Sequence, residues 1–292
     1  MMATSGGIVI LTEMLSSLPP SERKIASYII NNPEEALTLT AVELGKRSST
    51  SGAAVIRLCK SLNLKGFQDL KLRIAGDLHK TEEVGFRDIE PNEPLLSVIK
   101  KMTNNSIQTI RETAELLNVE QLQKVVEKVK NAKSLHFIGV GASSIIAQDA
   151  QQKFLRINKN AYAFTDIHMA ATQVANTTKE DVVLGISFSG ETVEVAKILQ
   201  LAKKNNATTI SLTKYGKSLV TEEADLKLYT SATKEPTFRS GATSSRIAQL
   251  HVIDILFMSV ASLQYDDTVE HLNATREAVE FLSKKGKRSN RN

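Results

Sequence analysis

The chain has 292 residues, 41% of them hydrophobic, with a single cysteine and a formal net charge of +5. This length suggests about two domains, and the apolar content excludes a disordered polyelectrolyte. Lone Cys59 excludes an internal disulfide and fits a reducing cytosol; the apolar run Ile8–Leu11 is too short for a signal core or a membrane span.

Charge is unevenly spread. Residues 41–80 hold eight Lys/Arg against three Asp/Glu, and the last ten residues hold five Lys/Arg and no acid. Basicity confined to one segment and a tail is how a nucleic-acid module looks beside a neutral or acidic partner domain. A solvated basic face would give the same count.

In chain order, Met1 to Gly7 reads as disordered and Ile8 to Leu18 as a helix stopped by Pro19-Pro20. Ser21 is expected to cap a second helix with Ile25, Ala26, Ile29 and Ile30 inward, ending before Asn32-Pro33. Thr40 caps a short helix over 41–47. After the polar corner Ser48-Ser49-Thr50, Ser51 caps another helix whose apolar stripe is Val55, Leu58 and Leu62, with Cys59 as ordinary helix packing. Helix, short corner, helix with a basic outer face is the helix-turn-helix pattern. Gly52, Ala53, Ile56, Arg57 and Lys60 lie away from the stripe. Small residues at that helix start let backbone approach base edges, and Arg57 and Lys60 reach a guanine or phosphates. Lys65, Lys71 and Arg73 suit phosphate contacts. The candidate DNA-binding set is Ser51, Gly52, Ala53, Arg57, Lys60 and Lys65.

Residues 81–94 have little periodicity and carry Gly85, Pro91 and Pro94, which marks a linker. Two helices, 95–117 and 119–131, lead into a second domain. From Ser134 strands and helices alternate: strand 135–140, helix 144–157, strand 161–164, helix 167–175, strand 182–186, a helix from Val193, strands 208–212 and 226–229, and a long helix 242–263. Such alternation means a parallel sheet covered on both faces, with ligands at the carboxyl ends of its strands. A last helix spans 271–285, and the basic tail is read as solubilising.

Two strand-to-helix turns stand out. In Gly185-Ile186-Ser187-Phe188-Ser189-Gly190-Glu191-Thr192, three hydroxyls surround a glycine at a helix start, where free N–H groups and the helix dipole favour an anion. A serine capping its own helix is the plain alternative. Gly139-Val140-Gly141-Ala142-Ser143-Ser144 is the other turn. With Asp166 it also reads as a dinucleotide fingerprint with Ser144 replacing the third glycine, so a nicotinamide enzyme is a rival. Two serine-lined turns at neighbouring strand ends better suit one small phosphorylated molecule held from two sides. The five histidines are scattered, no metal site is visible, and no cofactor is expected.

The chain resembles the RpiR/MurR-type bacterial transcriptional regulators, an N-terminal helix-turn-helix domain joined to a C-terminal SIS (sugar isomerase) phosphosugar-binding domain. The resemblance runs from Leu18-Pro19-Pro20-Ser21-Glu22 to about Leu263. It rests on Val55-Ile56-Arg57-Leu58-Cys59-Lys60-Ser61-Leu62, Lys65-Gly66-Phe67-Gln68-Asp69-Leu70-Lys71, the two serine turns, Phe238-Arg239-Ser240-Gly241-Ala242 and Ser245-Arg246-Ile247-Ala248-Gln249-Leu250. It departs at Ser49-Thr50-Ser51, where the family usually has Gly-Val-Ser, and at Ala54, where it usually has Thr.

The resemblance implies an all-α helix-turn-helix bundle (1–80), a linker (81–94), an α/β SIS domain with leading helices (95–265) built as a flavodoxin-like three-layer sandwich, and a C-terminal helix with basic tail (266–292). It implies phosphate binding by Ser143, Ser187, Ser189 and Thr192, with Ser144 and Gly190 in the same turns and Glu235 and Arg246 as flanking candidates. Arg239 flanks the start of the long helix with them, and Arg246 reads equally as a surface or subunit ion pair. SIS isomerases add acid–base residues; Glu191, His168 and Glu235 are available, but no spacing fixes them around a sugar. The expectation is a cytoplasmic regulator rather than an enzyme, a homodimer or homotetramer with no membrane partner, binding operator DNA under control of a sugar phosphate. N-acetylmuramic acid 6-phosphate is the first choice of effector, since the detailed run looks most like MurR-type regulators.

Overall fold

The computed structural model describes residues 6–78, 89–232 and 243–283. The first unit is helical: α1 (Gly7–Met14), α2 (Pro20–Asn31), α3 (Pro33–Thr38), α4 (Ala41–Arg47), α5 (Gly52–Ser61) and α6 (Phe67–Leu78). Ile25, Leu44, Val55, Leu58, Leu62, Leu70 and Ile74 are wholly buried in its core. Of the expected disordered segment Met1 to Gly7, residues 1–5 lie outside the described residues; at Gly6 and Gly7 the expectation is corrected, because both oxygens of Asp77 accept backbone N–H groups there, from Gly6 at 2.7 Å and Ile8 at 2.8 Å. Ser21 is not the cap of α2. Pro19 holds that position and Pro20 opens the helix, needing no donor where a helix start has none to satisfy. α1 ends at Met14 instead of Leu18. The pattern analysis also missed α3, only six residues long, and α6.

The helix-turn-helix corner is built by short contacts. Thr40 and Glu43 form a reciprocal capping box at α4, and Ser51 accepts from Ala54 N–H at 3.2 Å to cap α5. A Cβ on Gly45 would stand 2.5 Å from the carbonyl carbon of Ser51, so only glycine lets the two helices meet there. Ser49 adopts φ 54°, the left-handed conformation that the family's usual glycine takes without penalty.

The long helix α7 (Leu95–Leu116) and α8 (Val119–Asn131) lead into the second unit. There β1 (Ser134–Gly139), α9 (Ala142–Leu155), β2 (Asn160–Ala163), α10 (Ile167–Val174), β3 (Asp181–Ile186), α11 (Val193–Lys204), β4 (Thr208–Lys214), α12 (Leu219–Glu222) and β5 (Leu226–Thr230) precede α13 (Ser244–Leu263) and α14 (Tyr265–Ser283). The five strands are all parallel in the order β2-β1-β3-β4-β5. α8, α9 and α13 cover one face; α10, α11 and α12 cover the other. This is the expected three-layer sandwich. α13 is long and apolar enough to span a bilayer, yet Val252, Ile253, Leu256 and Val260 are fully buried against the sheet. α12 was not anticipated, and α14 starts at Tyr265, six residues before the expected His271. The expected linker over 81–94 and the start of the long helix at Ala242 lie wholly or largely outside the described residues, as does the basic tail.

The two units touch. Leu116, at the end of α7, is buried in the helical core. The Tyr215 hydroxyl donates to the Leu62 carbonyl oxygen at 2.7 Å.

Candidate functional site

The register pairs Gly139, the last residue of β1, with Ile186, the last of β3. The two serine turns therefore leave neighbouring strand ends, about 5 Å apart by strand spacing. β1 continues to β2 on one side while β3 continues to β4 on the other, so the turns flank the point where strand order reverses, the usual ligand crevice of an open parallel sheet. Neither helix that starts here is capped by a side chain: Gly141 precedes α9, and Thr192 precedes α11 without a capping bond. Two helix N-termini without a side-chain cap thus sit side by side, although at α9 the Ser143 and Ser144 N–H groups bond back to Val140 O at 3.3 Å and Gly141 O at 3.0 Å.

Within the second turn the hydroxyls are engaged. The Ser187 hydroxyl accepts from Gly190 N–H at 3.2 Å and shares a hydrogen bond with the Thr192 hydroxyl at 2.8 Å. Ser189 accepts from Glu191 N–H at 3.1 Å. The expectation of free N–H groups at this glycine is corrected, since Gly190 and Glu191 N–H are internally bonded; uncapped donors belong to the first turn of α11 instead. Gly190 has φ 76°, and a Cβ there would lie 2.2 Å from the Ser218 hydroxyl. Its conformation and its fit against α12 both require glycine. In the first turn Ser143 is buried and meets Gln249 of α13 at 3.4 Å, whereas the Ser144 hydroxyl donates to Gly141 O at 2.7 Å.

Arg246 lies one turn before Gln249 on α13. Its Nε is buried with no hydrogen-bond partner among the described residues, a donor that none of them satisfies. Gln249 was missed by sequence reasoning, because a glutamine inside a helix carries no motif. Glu235 and Arg239 lie outside the described residues. Among the acid–base candidates, Glu191 is exposed; His168 is 94% exposed and bonds Asp166 at the start of α10. No group of three or more His, Cys, Asp or Glu placed to hold a metal occurs among the described residues.

On α5, Ala53, Ile56, Arg57 and Lys60 are exposed together while Val55, Leu58 and Cys59 are buried. Burial pushes the Cys59 thiol up to about 11, which fits packing and not reactivity. Ser51 is exposed and Gly52 half-buried at the helix start, where a Cβ on Gly52 would stand 3.3 Å from Val42. Lys65 is exposed and faces Glu120 of α8 at 3.7 Å. Arg73 departs from its expected phosphate role: its side chain is only 17% exposed and bonds Asp69 one turn earlier. Lys71 lies over the Phe67 ring.

Comparison with known proteins gives the same division. Residues 5–81 match the helix-turn-helix domain of the rpiR family, and residues 128–259 match the SIS domain. The chain is 50% identical over 281 residues to YbbH, an uncharacterized HTH-type transcriptional regulator of Bacillus subtilis, covering 96% of this chain and 99% of that protein. An HTH-type transcriptional regulator of Caldanaerobacter subterraneus is 44% identical over 272 residues, with 93% and 96% covered. Among solved structures, the Vibrio vulnificus NanR protein complexed with ManNAc-6P superposes with a TM-score of 0.60 at 27% identity, covering 94% of this chain and 99% of that one.

Proposed function

We propose, for a chain that belongs to the rpiR family of helix-turn-helix transcriptional regulators carrying an SIS domain, that an N-acetylated amino-sugar phosphate bound between the two serine turns sets its affinity for operator DNA. The observation that carries this reading is the Gly139–Ile186 register, which sets two uncapped helix N-termini side by side at the reversal point of the sheet. The phosphate is held by the first-turn N–H groups of α11 and by the hydroxyls of Ser143, Ser187, Ser189 and Thr192, with Ser144 and Gly190 in the same turns. Arg246 supplies the cation. N-acetylmuramic acid 6-phosphate is the first candidate, and the ManNAc-6P bound by NanR supports the same chemical class. Glucosamine 6-phosphate and pentose phosphates complete the panel.

The domain is read as a sensor and not as an enzyme. Among the described residues, an exposed His168 anchored to a helix start and an exposed Glu191 assemble no acid–base pair around a sugar. The protein works in the cytoplasm as a homodimer or homotetramer, pairing two α5 helices on a near-palindromic site.

The test is a thermal-shift panel of sugar phosphates on the full-length protein, repeated with Arg246→Ala. A shift of several degrees with one of them, lost in Arg246→Ala, is expected. No shift with any sugar phosphate, or turnover at enzyme-like rates, overturns the reading.

A further inference from the structure

The serine turn after β3 is fastened by backbone bonds to the end of β4 and to α12, the two elements that bracket the connection 215–218. Ser187 N–H donates to Leu212 O at 3.1 Å, Lys214 N–H to Phe188 O at 2.9 Å, and Val220 N–H to Gly190 O at 2.9 Å. Gly190 is also packed so closely on Ser218 that the turn cannot shift without moving the connection. The first residue of that connection reaches the first unit. Tyr215 packs against the helical core, and its hydroxyl donates to Leu62 O at 2.7 Å. Leu62 is the residue that ends α5, and its carbonyl belongs to the set a helix leaves without an internal partner. Tyr215 N–H is tied in turn to Thr230 O at 3.1 Å, and its ring meets Tyr229 at 4.8 Å between centroids. Burial pushes the Tyr215 phenol up to about 12, so it remains a donor throughout the physiological range.

Beside this contact lies a cavity of about 410 Å³ between the units, lined by Glu191 of the serine turn, Lys214 at the end of β4, Lys217 of the connection, and Ser61 and Asn63 at the end of α5. The connection therefore has open space on the side facing the helical unit, unlike a segment locked in a filled core.

We infer that the β4–α12 connection carries occupancy of the serine turn to the recognition helix, with Tyr215 as the positioning residue that holds the carboxyl end of α5. The inference rests on the sensor reading above and names how that same site is read. A ligand that draws Ser187 and Thr192 out of their mutual hydrogen bond pulls on Leu212 and Lys214 through Ser187 and Phe188, and on Val220 through Gly190. Tyr215 then holds or releases Leu62. Ligand acts only through this difference between two arrangements.

The test needs two readouts on the full-length protein. With a sugar phosphate that shifts its melting point, wild type is expected to change operator affinity by roughly tenfold, within the usual span of allosteric coupling. Tyr215→Phe, which removes one oxygen and keeps the ring, is expected to retain the thermal shift and change affinity less than about twofold on ligand addition. An unchanged tenfold response in Tyr215→Phe overturns the inference.

The second readout needs no ligand. Hydrogen exchange is followed at the amides of Leu62, Asn63 and Leu64, which close α5 onto Leu58, Lys60 and Cys59. Ser187→Ala is expected to alter exchange there, and to have no such effect when combined with Tyr215→Phe. No change in Ser187→Ala, or the same change with and without the Tyr215 hydroxyl, sinks the inference even if every sugar phosphate fails to bind. Failure of all sugar phosphates in the thermal panel would instead remove the sensor reading.

Discussion

Ser49 shows how one side chain sets a local conflict. Its φ of 54° places Cβ against the following backbone, a conformation glycine adopts freely. Ser49→Gly is expected to stabilise the protein by about 0.5–1 kcal/mol, since relief of the left-handed penalty exceeds the extra unfolded-state entropy of glycine. Urea denaturation measures it, and an unchanged or lower midpoint would show that the corner depends on the serine. Arg57 and Lys60 act at the same scale. Both are exposed on the outer face of α5 beside Ala53 and Ile56. Arg57→Ala is expected to weaken operator binding by about 1–3 kcal/mol and relax preference at one base pair, as a base contact does. Lys60→Ala is expected to weaken all sequences alike and reduce the salt dependence, as a phosphate contact does. Gel shifts at several salt concentrations separate the two.

At the scale of the element, the α4–α5 corner depends on close approach. Gly45 lies against the backbone of Ser51 and Gly52, where no side chain can rotate aside. Gly45→Ala is expected to cost about 1–3 kcal/mol by forcing the helices apart, with loss of operator binding beyond what the lower stability explains. Native melting with intact DNA binding would refute the tight-corner argument. The sandwich elements were legible because β-branched runs such as Val182-Val183-Leu184 and helices at regular spacing repeat in alternation. α3 and α12, of six and four residues, are too short to show a period. α14 begins before its apolar pattern because α13 runs into it through a single residue, Gln264.

For the whole molecule the decisive contact is between units. Glu13 of α1 accepts from Ala232 N–H at 2.8 Å and from the Ser231 hydroxyl at 3.3 Å, just past β5. Burial, reinforced by the neighbouring Glu112 and opposed by Lys214, pushes its carboxyl up to about 7. The folded protein therefore holds this proton more tightly than the unfolded chain. The stability it contributes is complete below the ordinary carboxyl range and is lost as pH rises through about 7. The loss is on the order of 3 kcal/mol. Buried His136 acts in the opposite sense: desolvation lowers its pKa, so its contribution is present above the ordinary histidine value and lost on acidification. Glu13→Gln isolates the first effect. The difference in stability between wild type and Glu13→Gln, followed by urea melts from pH 5 to 8.5, is expected to move against wild type as pH rises. A difference independent of pH would show that Glu13 is not buried against β5.

The helical unit, the helix-turn-helix corner, the parallel sandwich and the two serine turns were legible along the chain, because each is written in local periodicity or in adjacent residues. The packed fold was needed to show which strand ends are neighbours, that the Ser187 and Thr192 hydroxyls bond each other, that Arg246 Nε lies buried without a partner among the described residues, and that Gln249, Tyr215 and Glu13 matter. Those contacts join residues up to 219 positions apart. No local pattern encodes such a pairing; it follows from how the sheet orders its strands and how one core packs on the other.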